Sequence, residues 1–432
     1  MLINFTVGNY RSFKENKTFS LNATSFQEHK EFIREGNGIK FLPVVAIYGA
    51  NSSGKSNLLS ALQMMKKILL FSVKTNPTEI LITDPFLLDE QNKHKPTFFE
   101  VVFLSEGNTY KYGFEYSKDK INAEWLYTIK NEREKLLFIR NDNGIGVVSK
   151  DFPEGVDKES STADNRLFLS LVAQLNGKIS LAVMNWFEKL KCFSGITDSD
   201  FKLYSCNYLF ENNENSLKAK DFIKSMDLGF TDIQKAETDV KDYAFSGINP
   251  EMKETIEQEI PNFWDKLLPP KWNETNIPIF KTGHLFRKSD GTVTEVFFRN
   301  DKMESEGTKK IINISGPIVE ALSKGETFVI DELDAKLHPL LTKKIIEIFN
   351  SPDTNPNNAQ LIFATHDTNL LSNKILRRDQ IWFAEKNRDN ESTDIYPLSE
   401  IKEQNGEKIR NDRVYEKDYI NGKYGAIPYL KG

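Results

Sequence analysis

The sequence predicts an α/β fold built on a parallel sheet, with a β-rich N-terminal lobe and a helical insertion. Three stretches predict it. Residues 44–48 (VVAIY) form an apolar run that enters a Gly/Ser-rich loop and then an amphipathic helix. Residues 327–332 (TFVIDE) form a second run, ending in two carboxylates. Residues 361–365 (LIFAT) form a third, followed by His366 and Asp367. Short apolar runs of this kind read as strands covered on both faces.

The loop after the first run is Gly49-Ala50-Asn51-Ser52-Ser53-Gly54-Lys55-Ser56, followed by Asn57. It fits G-x-x-x-x-G-K-S at every fixed position. Glycines let the backbone curl so that successive N–H groups point inward at phosphate oxygens. The helix N-terminus adds free N–H donors and the positive end of its dipole. Lys55 then reaches the β- and γ-phosphates, and the Ser56 hydroxyl takes a Mg²⁺ position. Leu58, Leu59, Leu62, Met65 and Leu69 give the helix one apolar side. A plain Gly/Ser turn could match by chance in roughly one or two chains in a hundred of this length. A strand before and a helix after make that reading rarer still.

The remaining elements follow in order. Residues 2–7 (LINFTV) alternate as a strand, Asn9 to Phe13 turn a corner, and Lys17 to Leu21 return. The corner is either an edge hairpin or a device that brings Tyr10 or Arg11 to the nucleotide. Further strands run over 98–104, 109–116, 123–129 and 135–140, with Asn141-Asp142-Asn143-Gly144 as a hairpin turn. From Ser161 the period becomes helical. Leu167, Phe168, Leu171, Val172 and Leu175 make one helix; Leu181, Met184, Phe187 and Leu190 mark the next; 216–228 and 250–268 add others. Strands resume at 277–287 and 292–299 around Ser289-Asp290-Gly291, before a helix through Ile311 to Leu322 that contains Pro317. The division is therefore a first lobe (1–154), a helical insertion (155–275) and a second lobe (276–432).

Composition excludes several classes. A net charge of -5 rules out a constitutively basic nucleic-acid coat. Two cysteines, Cys192 and Cys206, make no disulfide framework and fit a reducing cytoplasm. No apolar run reaches the ~18 residues of a membrane span, and the start lacks a signal-peptide pattern, so a cytoplasmic protein is expected. No histidine cluster has zinc spacing. The basic pairs Lys66-Lys67, Lys309-Lys310, Lys343-Lys344 and Arg377-Arg378 read either as solvated helix faces or as a DNA contact.

The second apolar run completes the site. Asp331, at the end of a strand beside the P-loop, holds Mg²⁺ through water. Glu332 polarises the attacking water as general base. His366 ends a strand on the same sheet edge, where ligands of parallel α/β sheets bind. From there it contacts the γ-phosphate. The expected activity is Mg²⁺-dependent ATP hydrolysis, with Lys55, Glu332 and His366 as its catalytic groups.

Five pieces together resemble the ABC-type ATPases of the SMC, RecF and OLD kind. They are the corner NYRSF, the loop GANSSGKSN, the segment ESEGTKK, the stretch FVIDELDAKLHP and the strand end ATHD. The C-terminal YINGKYGAIPYL and the others are most similar to stand-alone ATP-binding proteins of bacterial phage-defence loci, the RloA-like and AriA-like group. The resemblance covers both lobes and little of the helical middle. It implies an ABC-type head that closes on ATP against a second head, so that Ser305 and Gly307 touch the γ-phosphate bound by another copy. Asp334 would lie at the seam. ESEGTKK departs from the transporter sequence L-S-G-G-Q, which sets transporter subunits aside. OLD relatives often carry a Toprim nuclease, for which 367–432 is too short. The resemblance thus implies a homo-oligomer, an ATP-bridged dimer or larger, acting on a separately encoded effector of Toprim kind. The alternative is a RecF- or SMC-like ATPase of DNA maintenance.

Overall fold

In the computed structural model, the described residues are 1–141, 144–195, 199–211, 213–239, 276–403 and 406–428. The helix expected over 250–268 and the middle of the turn at 142–143 lie outside them. The chain divides into two units. The first is Met1–Ile196, Ala321–Ala335 and Pro339–Gly432; the second is Thr197–Glu320 and Lys336–His338.

Two sheets carry the first unit. The N-terminal strands are β1 (Leu2–Gly8), β2 (Lys17–Ser20), the short pair β3 (Arg34–Gly36) and β4 (Ile39–Phe41), and β5 (Val44–Tyr48). After the P-loop come α1 (Lys55–Phe71), β6 (Thr97–Ser105), β7 (Asn108–Tyr116), β8 (Ile121–Lys130), β9 (Arg133–Asn141) and β10 (Gly144–Val148). An antiparallel sheet runs β10-β9-β8-β7-β6-β1-β2. Its alternating strands send Phe99, Phe103, Phe114 and Phe138 into one core with α1.

Two helices follow, α2 (Phe168–Gln174) and α3 (Lys178–Glu188), and then β11 (Leu190–Ser194). Neither helix has a capping side chain of its own. Carboxylates from elsewhere, the buried Glu124 and the half-buried Glu154, replace it. Glu124 on β8 accepts from the Phe168 and Leu169 N–H groups at 2.6 and 3.0 Å. Glu154 accepts from Ile179 and Ser180 at 3.0 and 2.8 Å. An acid at a helix N-terminus satisfies orphan donors and meets the positive dipole end. These caps tie α2 and α3 to the first unit, so the second unit begins at Thr197 rather than at 155. Leu190, expected in a helix, instead opens β11 and pairs with Thr327. A five-residue edge strand is too short to show its own period.

The central sheet is completed by β15 (Thr327–Asp331), β16 (Gln360–Ala364), β17 (Ile381–Lys386) and β18 (Thr393–Pro397). Its order is β11-β15-β16-β5-β17-β18, parallel except for β18. The β5, β15 and β16 runs are almost wholly buried. Register sets the site: Ile330 lies opposite Phe363, and Ala364 opposite Ile47. Asp331, Thr365 and Gly49 therefore leave the sheet at one edge. Gln360 joins the two sheets. Its side-chain oxygen accepts from the Leu2 N–H at 2.6 Å and from the Thr327 hydroxyl at 3.1 Å, and its amide donates to the Leu2 carbonyl at 2.8 Å.

In the second unit α4 (Ser199–Leu209) and α5 (Glu214–Ser225) precede an antiparallel sheet of β12 (Ile233–Asp239), β13 (Asn276–Arg287) and β14 (Val293–Arg299). The short α6 (Asn300–Met303) leads to α7 (Glu306–Lys324), which contains Pro317. Proline has no N–H for the Asn313 carbonyl. The Ser205 hydroxyl donates to that carbonyl instead, and the Gly316 N–H donates back to Ser205 Oγ at 3.2 Å. A side chain on Gly316 would occupy this space, its Cβ 2.8 Å from Ser205 Oγ.

Candidate functional site

The P-loop turns between the buried strand β5 and α1. Gly54 is the helix N-cap residue at φ 107, a conformation that favours glycine. Lys55 is 5% exposed, and its ammonium donates to the Gly49 and Ala50 carbonyls at 2.8 and 3.1 Å. Burial lowers its pKa, while Asp331, Glu332 and Asp334 pull it back up. The loop's own carbonyls thus hold its lysine in place. Ser56 stands exposed at the first helical turn.

Facing it, β15 ends at Asp331. The Asp331 carbonyl accepts from the Gly195 N–H at 2.7 Å, and Gly195 has no room for a Cβ, which would lie 2.3 Å from the Glu332 carbonyl. Glu332 takes φ 51, a costly conformation for a long side chain that a packed surrounding must enforce. Asp331 Oδ1 and Asp334 Oδ1 are buried with no hydrogen-bond partner among the described residues. A buried carboxylate oxygen left bare suits a hydrated cation. Among the described residues no three His, Cys, Asp or Glu gather as a metal cage. Mg²⁺ itself needs only one or two protein groups, with phosphates and water completing its shell.

His366 follows β16, and its N–H lies 3.4 Å from Asp334 Oδ2. Its pKa is lowered, first by burial and then by the Lys55 charge, against the pull of Asp334, Glu332 and Asp331. The imidazole is therefore held neutral, with one ring N–H to donate. Lys55, Asp331, Glu332, Asp334 and His366 thus form one electrostatic cluster on the sheet edge.

Ser305 and Gly307 belong to the second unit. Ser305 Oγ accepts from the Thr308 N–H at 3.2 Å at the start of α7. A Cβ on Gly307 would lie 2.7 Å from the Lys336 carbonyl. Glu306 pairs with Lys309 and with Lys336 at 2.9 and 3.2 Å.

At the NYRSF corner, Tyr10 is fully buried, with its hydroxyl 3.0 Å from Ser60 Oγ, and Arg11 pairs with Asp84 at 3.2 Å. The residue that reaches the P-loop is Ser12. Its Oγ accepts from Asn57 Nδ2 at 2.7 Å and lies 2.7 Å from the Thr393 hydroxyl, which donates to the Ser53 carbonyl at 2.8 Å. Thr393 gives no motif signal and comes from the far end of the chain. Of the basic pairs, Arg377 is fully buried against Asp379, and Arg378 pairs with Glu28 at 2.7 Å. Those two guanidinium groups are engaged within the fold.

The second half of the P-loop's surroundings is a cavity of about 620 Å³. It extends from His366 across Gly49, Ala50 and Asn51 to Lys386 and Arg388, with Ala426–Pro428 as its far wall. No helix among the described residues is long and apolar enough to cross a membrane.

A parallel sheet that delivers a P-loop, an aspartate-glutamate strand end and a histidine to one edge defines an α/β P-loop ATPase of AAA/ABC type. Residues 44–372 match the family described as "AAA domain, putative AbiEii toxin, Type IV TA system", and the chain belongs to that family. Among solved structures it is similar to the SMC head domain from Thermotoga maritima, at 13% identity, covering 92% of this chain and 98% of that one, with a TM-score of 0.39. It is also similar to the Smc head domain with an extended coiled coil, bound to the C-terminal domain of ScpA, from Pyrococcus furiosus. There the identity is 12%, the coverage 92% and 96%, and the TM-score 0.37. Curated proteins give no match.

Proposed function

We propose that this protein hydrolyses ATP to regulate a separately encoded effector, of Toprim nuclease kind, in a bacterial antiphage defence system. The carrying observation is the cluster of Lys55, Asp331, Glu332, Asp334 and His366, with two buried carboxylate oxygens left open. The family description, "putative AbiEii toxin, Type IV TA system", supports a role in a switch shared between two gene products.

ATP enters as substrate, and the Lys55 ammonium exchanges the Gly49 and Ala50 carbonyls for phosphate oxygens. Glu332 takes a proton from water as the water oxygen bonds to the γ-phosphorus and the bond to the bridging oxygen breaks, giving ADP and phosphate. The neutral His366 donates its ring N–H to the γ-phosphate. Mg²⁺, held by Ser56 and Asp331, would neutralise charge on the phosphates. The backbone N–H groups of Ala50 to Asn57 would cradle them. Ser305 and Gly307 of one copy would close on the γ-phosphate held by another, so ATP bridges two heads.

Glu332→Gln tests this. The variant should bind ATP, fail to turn it over, and gather into a larger species seen by sizing and light scattering only with ATP and Mg²⁺. Intact turnover in this variant would refute the role of Glu332.

A further inference from the structure

We propose that the cavity between the β17–β18 hairpin and the C-terminal turn takes the base and ribose of the bound nucleotide, so that Ala426–Pro428 set nucleotide affinity. The inference rests on the ATPase reading and adds a site to it.

Sheet order gives the direction. Asp331 and Glu332 end β15, His366 follows β16, the P-loop follows β5, and β17 lies beyond it. The metal, the attacking water and the γ-phosphate belong at the carboxylates, on the β15 and β16 side. A nucleotide with its γ-phosphate there must send its nucleoside the other way, across the C-terminal end of β17. The cavity begins at His366, runs past Ala50 and Asn51, and extends on that side over Lys386 and Arg388. Its about 620 Å³ exceeds what phosphates alone need and lies in the range of small-ligand sites.

The far wall is built with care for a segment with no phosphate chemistry. Asp418, in the helix α8 (Tyr415–Ile420), accepts from Arg413 Nε at 2.9 Å, Lys423 Nζ at 2.8 Å and the Tyr424 hydroxyl at 3.3 Å. The Tyr419 hydroxyl donates to the Ala426 carbonyl at 3.0 Å. Between the hairpin and the tail, the Tyr396 hydroxyl lies 2.8 Å from both Glu385 Oε2 and the Tyr424 carbonyl. Gly425, at φ +71, lies so close that a Cβ would meet that hydroxyl at 2.5 Å. The Tyr419 ring stacks on Phe383 of β17 at 5.4 Å. These bonds hold one apolar wall, Ala426-Ile427-Pro428, opposite the polar hairpin. An apolar wall facing a polar one suits a purine or pyrimidine, which offers a ring face and polar edges.

The test compares ATP with inorganic tripolyphosphate, which carries the phosphates without the nucleoside. Ile427→Trp fills the cavity, and Gly425→Val displaces the turn. Affinities are measured by calorimetry with Mg²⁺. Both variants should lose about tenfold or more in ATP affinity and keep tripolyphosphate affinity within about twofold of wild type. Unchanged ATP affinity in Ile427→Trp would overturn the inference, as would equal losses for the two ligands. Wild-type protein that binds neither ligand would overturn the ATPase reading itself.

Discussion

A Cβ on Gly54 would lie 2.1 Å from the Thr393 hydroxyl, so the P-loop and β18 meet with no room for a side chain between them. Thr393 uses that closeness to hold the Ser53 carbonyl and Ser12. Gly54→Ala should therefore abolish ATP binding, both by this clash and by the positive φ at Gly54. Thr393→Val keeps the shape and removes the donor. Leaving a buried carbonyl unpaired costs about 1–3 kcal/mol. Urea unfolding should show that loss, ATP titration should show weaker binding, and Thr393→Ser should restore both.

Gln360 satisfies both backbone groups of Leu2 across the boundary between the sheets. Gln360→Leu keeps much of the volume and strands a buried N–H and a buried C=O. The expected cost is about 2–5 kcal/mol, read as a lower urea midpoint with an unchanged slope.

The His366 imidazole has its pKa below the ordinary 6.5, mainly through burial. As pH falls through 6.5, the unfolded chain takes up this proton before the folded one does. Stability must then fall with falling pH. Wild type should lose more stability than His366→Gln between about pH 7.5 and about pH 5.5. An equal loss in the two proteins would place the His366 titration at its unfolded value.

The Ser205 hydroxyl stands in for the N–H that Pro317 lacks. Ser205→Ala alone should destabilise by about 1–3 kcal/mol, because the Asn313 carbonyl loses its donor. In a Pro317→Ala background the restored helical N–H supplies that bond, and the same substitution should cost about 1 kcal/mol less. A double-mutant cycle by denaturant unfolding measures the coupling.

The parts of the candidate site are legible in the sequence because each is local. Gly49 to Ser56, Asp331-Glu332 and His366 each end an apolar run, and the sheet register only had to bring three runs together. The supports were not legible. Thr393 and Ser12 act through hydroxyls with no motif, and the tail wall depends on tyrosines whose partners lie on other strands. The helices capped by Glu124 and Glu154 show the same limit: their periodicity was clear, yet what they belong to is decided by carboxylates far away in sequence. Leu190 failed for a third reason, since an edge strand of five residues carries too few positions to declare a period.

The bond from Thr393 to Ser53 spans 340 residues. At about 5–20 residues per second, roughly 20–70 s separate the synthesis of its two ends. Through that interval the nascent chain has a complete phosphate-binding sequence and an unsupported loop. The loop's full support thus comes late in translation, after β18 has emerged and docked. A chain broken off before Thr393 would hold the motif and lack the hydroxyl that grips it.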